Sequence, residues 1–348
     1  MPRTILVVAS GQLEAGLMGS YVRAFRSLGF TVEQLDLEAH RLAAVRGPTP
    51  IARAVHRAMG YVDVPSINQR ANRRIVMRAM ELRPEMVLVS CNEPVRPATL
   101  AQLRVALPGT KLAAIFPDTL FNLRENVVAG LPLYDVFATH TEAGVDVLRR
   151  LGCRAPFYLP LGADPELHHP MALSPAERRE YGCEVVYVGN WRTEHEALFN
   201  RLEGHDLAIW GSIQWHRASP SSWSRARYRG REANGAEYAK AHIAAQVALN
   251  PIDPLNYPGH NMRCFELPAC RVFSLVSRTP EMLELFEEGR TVAFFEGEDE
   301  LADKVRYYLG HPEERERIAA AAYRHVVEGG HTYLDRARTL LGQLGIAF

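Results

Sequence analysis

The sequence predicts an α/β protein made of two doubly wound domains, each built on a parallel sheet. Short apolar segments alternate with amphipathic segments along the 348 residues. Many apolar segments are continuous and rich in Val, Ile and Leu, which is typical of strands buried on both faces of a parallel sheet. A turn-rich segment with Pro160, Gly162, Pro165 and Pro170 divides the alternation into two series. These observations favour two α/β domains that face a cleft.

The first series contains six predicted strands. They are expected at 4–9, 31–35, 86–90, 112–116, 136–139 and 156–159. Apolar residues recur at helical spacing between them, which predicts helices at 20–28, 99–107 and 142–151. Pro108 and Gly109 end the second of these helices, and Gly152 ends the third.

The second series repeats the pattern with five strands. They are expected at 184–188, 207–210, 247–249, 272–276 and 291–295. The predicted helices are 194–202, 235–245, 280–287, 298–309, 313–327 and 331–344. The last helix has apolar residues at helical spacing, so one of its faces must be buried.

Composition and charge exclude several classes of protein. Lys and Arg total 40 and Asp and Glu total 40, so no net field attracts nucleic acid or a membrane. Two segments, 41–83 and 216–231, are locally basic, but no platform of aromatic residues accompanies them and nucleic-acid binding is not expected. No apolar run is long enough for a transmembrane helix. The five cysteines include no CxxC pair, so we expect a cytoplasmic protein without a zinc site or disulfide framework.

Polar residues follow three consecutive predicted strands of the first series. Glu93, Asp118 and His140 would meet at one edge of the sheet and form a general acid/base set. Each also has a structural interpretation, such as a helix N-cap for Asp118. The loop after the first strand contains Gly16, which favours either close approach of a ligand to the backbone or a plain tight connection.

The second series offers a candidate site for a diphosphate. Gly189, Asn190 and Arg192 lie between a strand and a helix, where backbone N–H groups and an arginine would meet an anion. A Pro- and Gly-rich segment follows at 249–277, with Asn250 at its start.

Within that segment, three residues form the core of the candidate site. The backbone near Asn261 and Met262 would meet phosphate, and Arg263 would neutralise it. Glu266 would accept sugar or ribose hydroxyls at the start of a helix at 267–270. The alternative is an exposed ion pair between Arg263 and Glu266.

Motifs for metal binding and for serine nucleophiles are missing. The sequence has no DxD, HExxH or GxSxG. His168, His169 and the EHE segment at 194–196 lack partners at ligand spacing and are expected on the surface. We therefore expect no metal and no cofactor.

The C-terminal segment begins NMRCFELPAC and includes TPEMLELFEEG and VAFFEGEDELADKVRYYLGHPEERERIAAAAYRHVVEGGHTYLDRARTLL. With these stretches it resembles the CgeB-like (spore-protein type) glycosyltransferases. Four shorter stretches upstream occur in the order expected for that family: YLPLGADPELHHP, VVYVGNW, IWG and VALN. The resemblance therefore covers roughly residues 112–344. It implies a GT-B fold with two Rossmann-like domains. An acceptor domain would span 1–165, a nucleotide-sugar donor domain 166–331, and a helix at 332–348 would return to the first domain.

The segment around Glu266 is similar to the E-x-x-A-C-G pattern of GT-B enzymes, in which the Glu contacts donor ribose or sugar. This sequence departs from it twice. Arg271 replaces the Gly after the Cys, and Pro258 replaces a second Glu eight residues earlier. Retention or inversion of the sugar configuration is therefore open.

The resulting hypothesis is a metal-independent glycosyltransferase. It would move a hexosyl or related sugar from a nucleotide-diphospho-sugar to a small molecule, a glycan or a protein. If the reaction inverts, Asp118 or His140 would be the base. The alternatives are a nucleotide-sugar 2-epimerase of GT-B fold and a non-catalytic coat protein that binds glycans or nucleotides. Arg271 favours the coat protein, whereas Asn261, Arg263 and Glu266 disfavour it.

Overall fold

The computed structural model describes residues 3–10, 16–37, 65–90 and 93–348. Two compact units are present: Met1–Pro160 together with Tyr333–Phe348, and Leu161–Thr332. The N–H of Ala163 donates to the carbonyl of His331 over 3.0 Å, and Ala163 pairs with Thr332 as an isolated parallel bridge. Residues 161–165, which the sequence analysis assigned to the first domain, therefore lie in the second unit.

The first unit contains a six-stranded sheet in the order β2-β1-β3-β4-β5-β6. Every neighbouring pair is parallel. The strands are β1 (Thr4–Ala9), β2 (Thr31–Asp36), β3 (Met86–Val89), β4 (Lys111–Phe116), β5 (Val136–Thr139) and β6 (Pro156–Tyr158). The helices are α1 (Leu17–Ser27), α2 (Pro65–Leu82), α3 (Pro97–Ala106), α4 (Glu125–Gly130), α5 (Glu142–Arg150) and, near the C-terminus, α13 (Tyr333–Gln343).

Both faces of the first sheet are covered by helices. Ile5 of β1 packs in one core with Phe25 of α1 and Leu340 of α13. Its neighbour Leu6 belongs to a core on the other face, with Ile75 of α2. Successive side chains of a strand point to opposite faces, so a strand that is covered on both sides is buried along its whole length. All six residues of β1 are buried, and all but Thr4 are apolar.

The C-terminal helix α13 is part of the first unit. Its buried apolar residues recur at helical spacing: Tyr333, Ala337, Leu340 and Leu341. The Tyr333 ring lies 5.2 Å from the Tyr21 ring of α1, measured between ring centroids. The core of the first unit therefore includes a helix that follows the second unit in the sequence.

The second unit contains a five-stranded parallel sheet in the order β11-β10-β9-β7-β8. The strands are β7 (Cys183–Val188), β8 (Leu207–Trp210), β9 (Ala245–Asn250), β10 (Ser274–Ser277) and β11 (Ala293–Phe295). The helices are α6 (Pro175–Tyr181), α7 (Thr193–Asn200), α8 (Ala236–Ile243), α9 (Arg263–Ala269), α10 (Pro280–Leu285), α11 (Gly297–Leu309) and α12 (Pro312–Val327). None of the helices in the described ranges is long and apolar enough to cross a membrane.

Two predicted elements were misplaced around α9. The helix begins at Arg263, not at residue 267, so Arg263 and Glu266 both lie in its first turns. Strand β10 begins at Ser274, not at residue 272. Arg271 has a positive φ of 57°, and the N–H of Val272 donates to the Leu267 carbonyl over 3.1 Å. The residues after α9 therefore close the helix before the chain becomes extended.

Candidate functional site

The predicted diphosphate-binding residues lie at the carboxyl edge of the second sheet, where β7, β8 and β9 end at Val188, Trp210 and Asn250. These three strands are neighbours. Because all strands are parallel, the loops that follow them leave the sheet on the same side. The sheet thereby brings the loop of Gly189 next to the loop that leads to Arg263.

Asn250 organises this edge through its side chain. It is completely buried. Its Oδ1 accepts hydrogen bonds from Asn261 Nδ2 at 2.8 Å and from Arg263 Nε at 3.0 Å. An amide oxygen has two lone pairs, so both donors can be accommodated. Asn250 thus fixes two of the residues predicted to bind the donor.

The Arg263 guanidinium spans from β9 to β7. Its Nη1 donates to the Val188 carbonyl over 3.1 Å, and its Cζ lies 5.4 Å from the centre of the Tyr187 ring. Its Nη2 makes no hydrogen bond to any of the described residues. The Asn261 backbone N–H is engaged by the Cys264 thiol, whereas the Met262 N–H donates to no described atom. Arg263 Nη2 and the Met262 N–H are therefore the two donors that remain for a ligand.

Gly189 and Gly211 lack side chains where the backbone and the side chains around Arg263 are closely packed. A Cβ on Gly189 would lie 2.5 Å from the Tyr187 hydroxyl oxygen and 2.9 Å from Arg263 Nη1. A Cβ on Gly211, after β8, would lie 2.1 Å from the Gly189 carbonyl oxygen. That carbonyl accepts a hydrogen bond from Trp215 Nε1 at 2.9 Å. Neither position accepts a side chain without movement of its neighbours.

Asn190 and Arg192 occupy the rest of the β7 loop. Asn190 is exposed, and its carbonyl accepts a hydrogen bond from the Tyr187 hydroxyl at 3.2 Å. Arg192 Nε donates to Asp253 Oδ2 over 2.7 Å. Partial burial alone would raise the pKa of the Asp253 carboxyl, but the hydrogen bond from Arg192 holds that pKa below its usual value. The positive charge of Arg192, which the sequence analysis assigned to diphosphate binding, is thus already paired with Asp253.

Glu266 is held by residues other than Arg263. No ion pair joins the two within the described part of the chain. Instead, Glu266 Oε2 accepts a hydrogen bond from the Tyr238 hydroxyl at 2.8 Å, and Oε1 lies 3.8 Å from His168 Nε2. Burial, together with the Glu266 charge, raises the pKa of Tyr238 well above its usual value, so the phenol remains a donor. The structure therefore contradicts the alternative interpretation, an exposed Arg263–Glu266 ion pair.

The expectation that His168 lies on the surface was wrong. Its side chain is only 13% exposed, whereas His169 is exposed. Nothing in the local sequence indicates this, because the partner Glu266 lies 98 residues further along the chain. Tyr238 was missed for the same reason.

Two buried histidines lie beneath the site, and the expectation of a surface position was wrong for one of them, His195. His242 Nδ1 faces the Tyr238 carbonyl at 2.8 Å, and burial lowers the pKa of His242 to about 3. His195 Nδ1 lies 3.1 Å from the Tyr187 hydroxyl, and burial lowers the pKa of His195 to about 4. Both are therefore neutral at pH 7, and neither adds charge to the edge.

The candidate residues of the first unit also follow neighbouring strands. Glu93, Asp118 and His140 come after β3, β4 and β5, which are adjacent in the sheet. Asp118 accepts hydrogen bonds from the Thr119 N–H at 2.7 Å and from Asn122 Nδ2 at 2.8 Å. Its carboxylate is thus engaged in the turn that follows β4, but the N-cap interpretation was wrong, because the N-cap of the short 3₁₀ helix Leu120–Asn122 is Thr119.

The other two members of this set are buried. Glu93 Oε2 accepts a hydrogen bond from the Ser10 hydroxyl at 2.6 Å, and His140 is 3% exposed. Gly16 precedes α1 in an extended conformation and is exposed, while residues 11–15 of the same loop lie outside the described residues. Across the described ranges, no group of three or more His, Cys, Asp or Glu side chains is placed to hold a metal ion.

Residues 178–342 match the family model described as glycosyl transferase-like. The matched region includes every residue of the Gly189 loop and of the Asn250–Glu266 segment. A comparison with curated protein sequences finds no match.

Three solved structures are similar over nearly the whole chain. A glycosyltransferase from Rickettsia africae ESF-5 has a TM-score of 0.65 at 13% identity, covering 98% of this chain and 97% of that one. Anabaena HepE in complex with UDP and glucose has a TM-score of 0.65 at 12% identity and 99% coverage of both chains. Sucrose-phosphate synthase from Thermosynechococcus elongatus has a TM-score of 0.66 at 14% identity, covering 99% of this chain and 98% of that one. The chain therefore consists of two Rossmann-like units with the GT-B fold.

Proposed function

We propose that the protein is a glycosyltransferase that binds a nucleotide-diphospho-sugar at the carboxyl edge of the second sheet. The main support is the hydrogen-bond network of Asn250, Asn261 and Arg263, which leaves Arg263 Nη2 and the Met262 N–H without a hydrogen-bond partner among the described residues. Donors arranged in this way suit the oxygens of a diphosphate. The family match covers this unit, and the similar HepE structure contains UDP and glucose.

The chemistry proposed for this edge is stabilisation of the departing nucleoside diphosphate. As the glycosidic bond breaks, negative charge develops on the diphosphate, and fixed donors lower the barrier. Arg263 supplies a permanent positive charge, because its guanidinium is never deprotonated in proteins. This role needs neither a metal ion nor a cofactor.

The acceptor side of the reaction belongs to the first unit in this proposal. For an inverting reaction, Asp118 or His140 would take the proton of the acceptor hydroxyl. The hydrogen bonds to Asp118 from Thr119 and Asn122 favour a structural role for it. Transfer rates of the Asp118→Asn and His140→Gln variants decide between the two.

The test of the function combines binding and turnover. A thermal-shift screen with UDP, GDP, ADP and dTDP should raise the melting temperature with one or more of them, since a ligand stabilises the folded state that it binds. The corresponding nucleotide-sugar should then be consumed only when an acceptor from a panel of sugars, lipids and peptides is added.

Other outcomes identify the alternatives. Consumption without acceptor, with a changed sugar configuration in the product, would identify a 2-epimerase. Nucleotide or glycan binding without any turnover would identify a non-catalytic binding protein, and no response to any nucleotide would contradict the proposal. The narrower CgeB-like assignment and the transfer of a hexosyl group remain proposals until donor and acceptor are known.

A further inference from the structure

A buried histidine precedes the residues that are proposed to bind the diphosphate. His260 is completely buried, and residues 261–263 follow it directly. Glu281, at the start of α10, is only 6% exposed. His260 Nδ1 lies 3.1 Å from Glu281 Oε2, and His260 Nε2 accepts a hydrogen bond from the Leu161 N–H at 3.1 Å. Both ring nitrogens are therefore engaged by other parts of the second unit.

The hydrogen bond from Leu161 determines which nitrogen of the His260 ring bears the proton. A backbone N–H can only donate, so Nε2 carries no proton, and the single proton of the neutral ring is on Nδ1. Nδ1 therefore donates to the Glu281 carboxylate. Because a buried polar group that loses its partner is costly, the two hydrogen bonds hold the ring in one orientation.

The chain next to His260 also contacts α10 and α9. Thr279, the N-cap of α10, donates through its hydroxyl to the Gly259 carbonyl over 2.9 Å. The centre of the His260 ring lies 5.3 Å from that of the Phe265 ring of α9, with the two rings edge to face. Residues 259 and 260 are thus held between the beginnings of two helices, one of which carries Arg263.

Two sets of contacts therefore determine where the proposed diphosphate donors lie. Asn250 binds the side chains of Asn261 and Arg263 from the end of β9. His260 fixes the chain immediately before them. The Met262 N–H is a backbone group, so only the path of the chain sets its position, and His260 is two residues away from it.

We propose that His260 is a positioning residue of the donor site. It places the Met262 N–H and the Arg263 guanidinium together for the diphosphate, and, being completely buried, it does not touch the ligand itself. Leu161 is the first residue of the second unit, so His260 ties the donor segment to the point where the chain enters that unit. This inference rests on the proposed function, since it needs a diphosphate at this edge.

The experiment separates the two hydrogen bonds of His260. His260→Leu removes both, His260→Asn can still donate to Glu281, and His260→Gln can still accept from the Leu161 N–H. His205→Leu is the matched control, because His205 Nδ1 also lies near a glutamate, 3.5 Å from Glu184 Oε2, but at the amino edge of the same sheet. Calorimetric titration would use whichever of UDP, GDP, ADP and dTDP raises the melting temperature of the wild-type protein most.

His260→Leu should bind the nucleoside diphosphate about 3- to 10-fold more weakly than wild type, with partial recovery in His260→Asn and His260→Gln and no change in His205→Leu. In an Arg263→Lys background, the further loss caused by His260→Leu should be less than about twofold, because the guanidinium that His260 positions is absent. A role in stability alone would lower the melting temperature and leave the affinity of the folded variants unchanged.

The results that would overturn the inference differ in their scope. If folded His260→Leu binds the nucleotide like wild type, or loses affinity by the same factor in both backgrounds, only the role of His260 is wrong. If none of the four nucleotides binds the wild-type protein, the proposed function fails as well. Thermal melting shows whether each variant is folded. If His260→Leu does not fold, wild-type affinity of both His260→Asn and His260→Gln would contradict the role of His260.

Discussion

The side chain of Arg263 is bound to that of Asn250, whose Oδ1 accepts a hydrogen bond from Arg263 Nε at 3.0 Å. Asn250 ends β9, and Arg263 begins α9. Through Nη1 the same guanidinium reaches the Val188 carbonyl at the end of β7. One arginine thus joins two neighbouring strand ends, and its position depends on a buried asparagine.

Replacing Asn250 by Ala should disorganise the proposed donor site. Two donors, Asn261 Nδ2 and Arg263 Nε, lose their shared acceptor, and a buried unpaired donor costs about 1–3 kcal/mol. We expect a lower free energy of unfolding and weaker nucleotide binding in the same variant. Denaturant unfolding and calorimetry measure the two effects. Asn234→Ala is the exposed control, and equal behaviour of the two variants would contradict the role of Asn250.

Gly189 should not tolerate even a methyl group. In Gly189→Ala the new Cβ would approach the Tyr187 hydroxyl oxygen to 2.5 Å and Arg263 Nη1 to 2.9 Å. We expect a loss of about 1–3 kcal/mol in the free energy of unfolding, because overpacking forces neighbours to move. In Gly310→Ala the nearest contact is an ordinary 3.4 Å, which makes it a matched control. If both variants unfold at the same denaturant concentration, Gly189 is not constrained in this way.

Arg271→Gly should stabilise the protein. Arg271 has a φ of 57°, a left-handed conformation that costs a residue with a side chain about 1–2 kcal/mol. It also pairs with Glu316 in an exposed ion pair, which contributes only about 0–1 kcal/mol. The control Arg271→Ala removes the pair but keeps the strain, so it should not be more stable than wild type. Unfolding in urea ranks the three proteins, and a destabilised Arg271→Gly would contradict the strain argument.

Stability should fall in mild acid because of two buried histidines. Burial lowers the pKa of His242 to about 3 and that of His195 to about 4. Between those values and the ordinary pKa of about 6.5, the unfolded chain binds more protons than the folded protein. The free energy of unfolding therefore decreases as the pH falls through this window, by about 2 kcal/mol per histidine at pH 5.

Histidine NMR titration measures these pKa values directly, and His195→Phe identifies one of them. The signal missing from the variant should be one that does not titrate above pH 5, and the variant should lose less stability than wild type between pH 7 and pH 5. His169→Leu, which removes an exposed histidine, should retain the wild-type acid sensitivity. A His195 signal that titrates near pH 6.5 would refute the prediction.

Sugar transfer should not require a divalent cation. Arg263 Nη2 and the Met262 N–H would stabilise the negative charge of the departing diphosphate. Once an acceptor is known, EDTA should change the rate by less than about twofold. Complete loss of turnover in EDTA, restored by magnesium or manganese, would show that the arginine and backbone donors are not sufficient.

The sequence alone determined the layered α/β architecture. The bounds of β1, β5 and β8 are those predicted, at Thr4–Ala9, Val136–Thr139 and Leu207–Trp210. These strands are buried along their whole length and are almost entirely apolar, because helices cover both faces of each sheet, so a local pattern is enough to locate them. The order of strands and loops also placed Gly189 and Arg263 at a carboxyl edge.

Only the tertiary structure decided what each polar side chain binds. Arg192 and Asp253 are 61 residues apart, and Asn250 accepts from two residues that follow it by 11 and 13 positions. His168 and Glu266 are farther apart still, and one of them was expected on the surface. Local patterns report which face of an element is buried, whereas hydrogen-bond partners depend on which strands are neighbours and where the long loops return. The apolar pattern therefore fixed the scaffold, and the packing of distant segments fixed the candidate site.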